Sequence, residues 1–205
     1  MKSKWLIPGV ILGFLALVAL WVAGTYNGLV SEREKVTSSF SNVQTQYQRR
    51  ADLIPNLVNT VKGSSEFEQS TLTQVIEARS KATSVSIDAS KATPEQMQAY
   101  MEAQNGVTSS LSRLIAVAEN YPDLKASAAY QDLMSQLEGT ENRIQVARTD
   151  FNEVARPYNT KIQTFPTNLI AGMFGFTQRP YFEATSGSEK APTVDFGTSA
   201  TKTNQ

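Results

Sequence analysis

The chain of 205 residues contains neither cysteine nor histidine. The lack of cysteine excludes disulfides and thiolate chemistry within the chain. The lack of histidine removes the most common general base, the most common metal ligand and the usual pH-sensitive side chain. Zinc-protease and ferritin-like metal motifs both require histidine and are therefore excluded. We expect neither a metal site nor a cofactor.

An excess of charge of either sign is also missing. Lysine plus arginine and aspartate plus glutamate each total 19, which gives a formal net charge of zero. The chain therefore lacks the basic footprint of a polyanion-binding protein, and nucleic acid is not an expected partner.

The most conspicuous feature that is present is a long uncharged run from Trp5 to Ser31, almost wholly apolar from Leu6 to Ala23. A helix of about 20 residues spans the hydrocarbon core of a bilayer. Trp5 and Trp21 lie near the two ends of the apolar run, where indole rings favour the headgroup layer. The sequence therefore predicts a short tail at 1–4 and a transmembrane helix at 5–25.

A cleaved signal peptide is the alternative interpretation of this run. Its apolar region would be shorter, and cleavage after Ala23 would put Trp21 at a position that requires a small residue. We therefore favour an uncleaved, single-pass anchor. Lysines precede the helix at positions 2 and 4, whereas the basic residues at 33 and 35 alternate with acidic ones. This slight bias predicts a cytoplasmic N-terminus and an extracytoplasmic domain.

Beyond the anchor, apolar residues recur at alternating steps of four and three, as in packed or coiled-coil helices. We predict helices at 28–62, 66–83, 94–119 and 128–165. Gly63 is a candidate C′ residue, capping boxes start at Ser65 and Thr93, and Ser127 caps the fourth helix. The predicted core positions are Val36, Phe40, Val43, Tyr47, Ile54, Leu57, Val61, Leu72, Val75, Ile76, Ala82, Met97, Tyr100, Val107, Leu111, Leu114, Ala118, Leu133, Leu137, Thr140, Ile144, Ala147, Phe151, Val154, Tyr158 and Ile162.

The helix lengths favour one topology for residues 26–165. If every connection reverses the chain, the fourth helix ends only about 7 Å from the level at which the first begins. If Gly63 is merely a kink, the end lies about 97 Å away. The compact solution buries all four apolar stripes, so we predict an all-α protein with an antiparallel, up-down-up-down four-helix bundle. Pro55 should bend the first helix, because its ring displaces the hydrogen bond to residue 51.

Several blocks of the sequence resemble the LemA family over about residues 26–183. The resemblance implies a bacterial, membrane-anchored helical bundle with no settled biochemical activity. The blocks that carry it are Arg49-Arg50-Ala51-Asp52-Leu53-Ile54-Pro55-Asn56-Leu57-Val58, Leu114-Ile115-Ala116-Val117-Ala118-Glu119-Asn120-Tyr121-Pro122-Asp123-Leu124-Lys125-Ala126, Glu138-Gly139-Thr140-Glu141-Asn142-Arg143-Ile144, Phe165-Pro166-Thr167-Asn168 and, in the tail, Pro192-Thr193-Val194-Asp195-Phe196.

Charged residues at or beside the apolar stripes are the candidate polar site. Arg50 and Arg79 continue the stripes of the first and second helices, and Glu119 and Glu141 border those of the third and fourth. A guanidinium inside a bundle must be paired, because an uncompensated buried charge costs several kcal/mol. These four residues form either a functional polar pocket or a structural ion-pair network that sets helix register. We favour the structural network.

A second candidate is the apolar stretch at 165–176, which at 12 residues is too short to span a bilayer as a helix. It could lie at the membrane interface, contact another subunit or cover the open end of the bundle. We assign 166–183 to a membrane-proximal segment and 184–205 to a disordered or recruitment tail. The predicted contact residues are Leu169, Ile170, Met173, Phe174 and Phe176.

Two functions from different classes remain open. The first is a non-enzymatic scaffold in the bacterial cell membrane, which acts by homo-oligomerisation or by binding a membrane protein. The second is a hydrolase with a pair of carboxylates inside the bundle. We favour the scaffold, because the candidate carboxylates lie among arginines and no Gly-x-Ser-x-Gly elbow is present.

Overall fold

The computed structural model describes residues 6–63, 67–88 and 91–183, and all regular structure in these ranges is helical. The prediction of an all-α chain is therefore confirmed for this part of the molecule. The six helices are α1 (Leu6–Lys62), α2 (Gln69–Ser84), α3 (Pro94–Ala118), α4 (Pro122–Ala126), α5 (Ala128–Gln163) and α6 (Thr167–Met173).

Helix α1 is a single helix of 57 residues. The anchor predicted at 5–25 and the helix predicted at 28–62 lie on this one continuous helix. Gly24 and Gly28 lower helix propensity by about 1 kcal/mol each but remove no backbone hydrogen bond, so they do not end the helix. Helix α1 also continues through Pro55, and its length is about 86 Å.

The first third of α1 is apolar and exposed. An 18-residue window has a mean hydropathy of 2.0, and none of that window is buried. Val10, Leu12 and Leu20 are each more than two-thirds exposed. Because an apolar stripe normally packs against another element, an unpacked apolar helix of this length indicates a membrane location.

The starts of α3 and α5 follow the predicted chemistry. The Thr93 hydroxyl accepts from the Gln96 N–H, and the Gln96 side chain accepts from the Thr93 N–H, which confirms this capping box. Ser127 caps α5 by accepting from the Tyr130 N–H, as predicted.

The connection between α1 and α2 differs from the prediction. Helix α2 begins at Gln69 rather than at residue 66, and its N-cap is Glu68, which makes no side-chain capping bond. The Glu68 carboxylate accepts from the Ser70 and Thr71 hydroxyls instead, and the Ser70 bond is the main cause that lowers the pKa of Glu68. Ser65, the expected cap, lies outside the described residues.

Two other helix ends are also revised. Helix α1 ends at Lys62, but the following glycine does not adopt the left-handed conformation expected for a C′ residue; among described glycines only Gly175 has a positive φ, of 71°. Between α3 and α5 the chain forms the short helix α4, which was not among the predicted helices. Proline at its first position suits a helix start, and Leu124 supplies a buried anchor.

The predicted apolar stripes of α1 and α3 are confirmed, because every one of their listed side chains is buried. In α5, Leu133, Ala147 and Val154 are half-buried and the other predicted positions are buried. Ile76 of α2 is 45% exposed, so that prediction is wrong. Val75 is buried beside it, and adjacent helical positions point in directions about 100° apart.

The main helix pairings are α1 with α5 and α2 with α3. Paired positions of α1 and α5 run in opposite order. The Lys161 ammonium lies against Gly28, and Arg50 pairs with Glu141 further along. After α5 the chain forms α6, which packs on both α5 and α1 beside the apolar third of α1. Residues 177–183, called here the return segment, then run back along α5 without regular structure.

Candidate functional site

Arg50 occupies the middle of the core with only 2% of its surface exposed. Its Nη1 donates to Glu141 Oε2 and to Thr108 Oγ1, both at 2.9 Å. Its Nη2 donates to the backbone oxygen of Gln104 at 3.0 Å and to the side-chain oxygen at 2.8 Å. The guanidinium thus links α1, α3 and α5, and both of its terminal nitrogens are engaged within the protein.

Two tyrosines adjoin this network. Arg50 lies 5.2 Å from the centre of the Tyr47 ring, and the Tyr47 and Tyr100 rings meet edge to face at 5.6 Å. Desolvation by burial raises the pKa of both phenols. Both therefore remain protonated at neutral pH, and neither offers a phenolate that could act as a base.

Arg79 lies near this network but binds the backbone of α1 instead. Its Nε donates to the backbone oxygen of Ala51 at 2.7 Å. Pro55 has no N–H and so cannot make the usual helical bond to that oxygen. Arg79 supplies the missing donor from α2, which is a structural role that the predicted shared pocket did not anticipate.

Glu119 does not belong to the network. It is exposed at the C-terminal end of α3 and pairs with Lys125 of α4. The predicted group of four therefore reduces to Arg50 and Glu141, and the other polar partners are Gln104 and Thr108. Gln104 lies in the α3 stripe between Tyr100 and Val107, so its spacing could have identified it.

The sequence did not reveal how the return segment is held. Asn159 donates to the Arg179 backbone oxygen and accepts from the Arg179 N–H, both at 2.8 Å. Asn152 makes the same pair of bonds to Phe182, at 2.8 and 2.9 Å. Each carboxamide replaces the backbone partner that a neighbouring strand would provide.

Side-chain packing reinforces these bonds. Phe182 stacks on Phe40 at 6.0 Å and meets Phe151 edge to face at 5.2 Å. Arg148 covers the Phe182 ring and donates to the Glu183 backbone oxygen at 2.7 Å. The second half of the predicted membrane-proximal segment at 166–183 is therefore part of the folded core.

Arg179 of the return segment is a second buried guanidinium, with 4% of its surface exposed. It lies 5.8 Å from the centre of the Tyr158 ring, and burial lowers the pKa of Arg179. Its Nε and Nη1 have no hydrogen-bond partner among the described residues. Contact with the ring face offsets part of the cost of burying this cation.

The five predicted contact residues of the apolar stretch divide into two groups. Ile170 and Phe176 are buried, at 4% and 8% exposure, so the expectation that they face lipid or a subunit is wrong. Phe176 packs against Tyr26 and beneath Arg33 of α1. These two side chains dock the stretch onto the helical core.

The other three predicted contact residues remain on the surface. Leu169 is 60% exposed, Met173 76% and Phe174 49%, and Phe165 nearby is 75% exposed. Phe174 also contacts Tyr26, with ring centres 4.9 Å apart. This apolar surface, formed by Phe165, Leu169, Met173 and Phe174, is called here the α6 surface. It lies beside the exposed apolar third of α1.

None of the described residues form a group of three or more acidic side chains that could hold a metal ion. The polar contacts of the described core include hydrogen bonds and an ion pair between its own helices. Two features of the described residues that could meet a partner are the α6 surface and a cleft between α3 and α5.

Comparison with known proteins confirms the family resemblance. Magnetosome protein MamQ 2 of Paramagnetospirillum magneticum is 29% identical over 179 residues, which cover 77% of this chain and 64% of that protein. Protein LemA of Metamycoplasma hominis is 27% identical over 161 residues, which cover 78% of this chain and 70% of the relative. The chain thus spans just under two thirds of the magnetosome protein. The LemA family profile matches residues 39–196, and the chain belongs to the LemA family.

Proposed function

We propose that this protein is a membrane-anchored, non-enzymatic scaffold that assembles with copies of itself through the α6 surface and the adjoining apolar part of α1. In this proposal the domain is an up-down-up-down four-helix bundle on a single-pass anchor. The exposed apolar residues of α6, beside an apolar helix, are the observation that carries it.

Contacts between helices support the proposed bundle topology. Positions of α1 pair in opposite order with α2 and the residues that follow it, since Arg79 of α2 donates to the Ala51 backbone oxygen and Gln44 donates to that of Ile87. Positions of α1 and α5 also pair in opposite order. Positions of α1 and α3 pair in the same order, as in Tyr47 with Tyr100 and Arg50 with Gln104. This is the alternation of an up-down-up-down bundle.

The apolar side chains of the α6 surface are unfavourably exposed unless another molecule buries them. Leaving a large apolar side chain in water rather than burying it is unfavourable by about 1.5–3 kcal/mol. Ile170 and Phe176 hold α6 on the core, so its outer residues cannot turn inward without displacing them. Lipid or a second subunit would cover these residues. Both would be close to them, because the α6 surface lies beside the apolar third of α1, which is proposed to be the membrane anchor.

The polar core supports a structural role over the alternative of a carboxylate hydrolase. Glu141 is bonded to Arg50, and Glu138, the other carboxylate near it, is exposed. In a carboxylate hydrolase, one carboxyl group acts as the acid and the other as the base. The two groups therefore need different environments, and both must be able to reach the substrate. A serine hydrolase without histidine would need a motif such as Ser-x-x-Lys. The chain has one such spacing, from Ser199 to Lys202, and it lies outside the described residues and beyond the family match.

We also propose that the bundle is extracytoplasmic, from the lysines that precede the anchor. Protease added to intact spheroplasts should then digest the domain, detected with an antibody to the bundle. Digestion only in inverted vesicles would reverse this orientation.

The test of assembly is a triple substitution on the α6 surface, Leu169→Ser, Met173→Ser and Phe174→Ser in the full-length protein. We expect the complex extracted in mild detergent to become smaller by at least one subunit, because the apolar contact is lost. Helicity should be unchanged, because about half or more of each side chain is exposed, at 60%, 76% and 49%. Size is measured by light scattering coupled to gel filtration.

A matched control is Ile76→Ser, which removes an apolar side chain that is exposed at 45% but lies on α2. It should leave the size of the complex unchanged. If the triple variant keeps its size but unfolds at a lower temperature, the α6 surface covers the end of the bundle instead, and self-association through it is wrong.

A further inference from the structure

A groove runs between α3 and α5, which are not among the helix pairs in extensive contact. One half of it is an open cleft of about 730 Å³. Leu111 and Ile115 of α3 and Tyr130, Met134 and Leu137 of α5 form its apolar lining. Arg50 and Glu141 lie at one end of the cleft, in the middle of the bundle.

The return segment lies along the other half of the same groove. Gln178, Arg179, Tyr181 and Glu183 line a space shared with residues 94–105 of α3. Asn152 and Asn159 bind the return segment from the α5 side. The groove thus already accepts a non-helical stretch of this chain over half of its length.

The return segment also points toward the open half. Thr177 is bonded to Tyr158, and Glu183 is bonded to Arg148, so the chain moves from the end of α5 toward its start. It advances about 15 Å along α5 over six residues. At the same pace, residue 194 would come level with Tyr130, about 27 Å beyond Arg148 along the helix.

Residues 184–205, expected to form a disordered or recruitment tail, lie outside the described residues. We propose that the first part of this tail, 184–196, continues along this groove and places Val194 and Phe196 in the open cleft. These are the only large apolar residues of the chain beyond residue 183. The family match extends to residue 196, which includes both of them and excludes the polar end of the chain. In this proposal the chain's own C-terminal segment occupies the cleft and covers the gap between α3 and α5.

The absence of cysteine allows a direct test in the full-length protein. Ala191→Cys combined with Met134→Cys should form a disulfide within one chain under mild oxidation, because residue 191 would come level with Met134 at this pace and Val194 and Phe196 are kept. Ala191→Cys combined with Ser41→Cys, on the exposed side of α1, is the control pair. We expect the first pair to cross-link at least tenfold faster, as measured by mass spectrometry of the monomer band. Equal rates for the two pairs would overturn the proposal, and a product found only between chains would assign the cleft to the tail of a second copy instead.

A second measurement does not depend on forming a disulfide. In the Met134→Cys variant, Val194→Ser together with Phe196→Ser should raise the rate of maleimide labelling at least tenfold, because the cleft is uncovered. Thr201→Ala, beyond the proposed contact, should leave the labelling rate unchanged. Fast labelling of the Met134→Cys variant that is independent of all three tail residues would show that the cleft is open, contrary to the proposal.

Discussion

Replacing Arg50 by alanine is expected to lower the free energy of unfolding by about 2–5 kcal/mol, the usual effect of truncating a large buried side chain to alanine. The change removes the hydrogen bonds to Gln104, Thr108 and Glu141 and leaves a cavity where the arginine stem packs. Unfolding of the full-length protein in mild detergent, followed by circular dichroism against urea, measures this loss.

Arg50→Met should be less damaging than Arg50→Ala, because methionine retains most of the packing of the stem. Glu141 loses its partner in either variant, but its side chain is 35% exposed and can be hydrated. Arg49→Ala, at the exposed neighbouring position, is the control and should change stability by less than about 0.5 kcal/mol. If both Arg50 variants also have negligible effects, the guanidinium does not hold α1, α3 and α5 together.

Asn159→Ala is expected to release the return segment from α5. The substitution leaves the buried N–H and carbonyl of Arg179 without partners, at about 1–3 kcal/mol for each group that stays buried. Undocking restores their contact with water, so amide hydrogen exchange at 177–183 should become faster. Exchange read by mass spectrometry over this peptide is the measurement.

Asn142→Ala is the matched control for this result, because Asn142 is an exposed asparagine of the same helix. It should leave exchange at 177–183 unchanged. Unaltered protection in Asn159→Ala would mean that the aromatic contacts of Phe182 alone hold the return segment, and that the carboxamide bonds contribute little.

The sequence predicted those parts of the fold that depend on local rules. The periodicity of Val36, Phe40 and Val43 identified the buried face of α1, since a 3.6-residue repeat determines which side chains share a face. The capping box at Thr93 and the N-cap serine at position 127 identified the starts of α3 and α5, because capping involves residues only three apart.

Local rules did not reveal what depends on contacts distant in the chain. That Pro55 frees the oxygen of residue 51 was predictable, but the arrival of Arg79 as its donor requires the packing of α2 on α1. Similarly, nothing near Asn159 in the sequence indicates that its carboxamide binds the backbone 20 residues later. Glu119 was misassigned because its proximity to the α3 stripe outweighed its position at the helix end.

The separation of the apolar stretch at 165–176 into buried and exposed residues also depends on contacts that are distant in the chain. Composition shows that the stretch needs burial, but only the fold separates Ile170 and Phe176, which face the core, from Leu169 and Met173, which do not. The exposed pair is what makes assembly the leading proposal.

The most direct test of a self-assembling membrane scaffold is the number of copies of the wild-type protein in lipid particles extracted without detergent. Native mass spectrometry or mass photometry of such particles gives this number. We predict two or more copies in a particle across a range of expression levels. A single copy at every expression level would contradict self-assembly and leave a different membrane protein as the partner of the α6 surface.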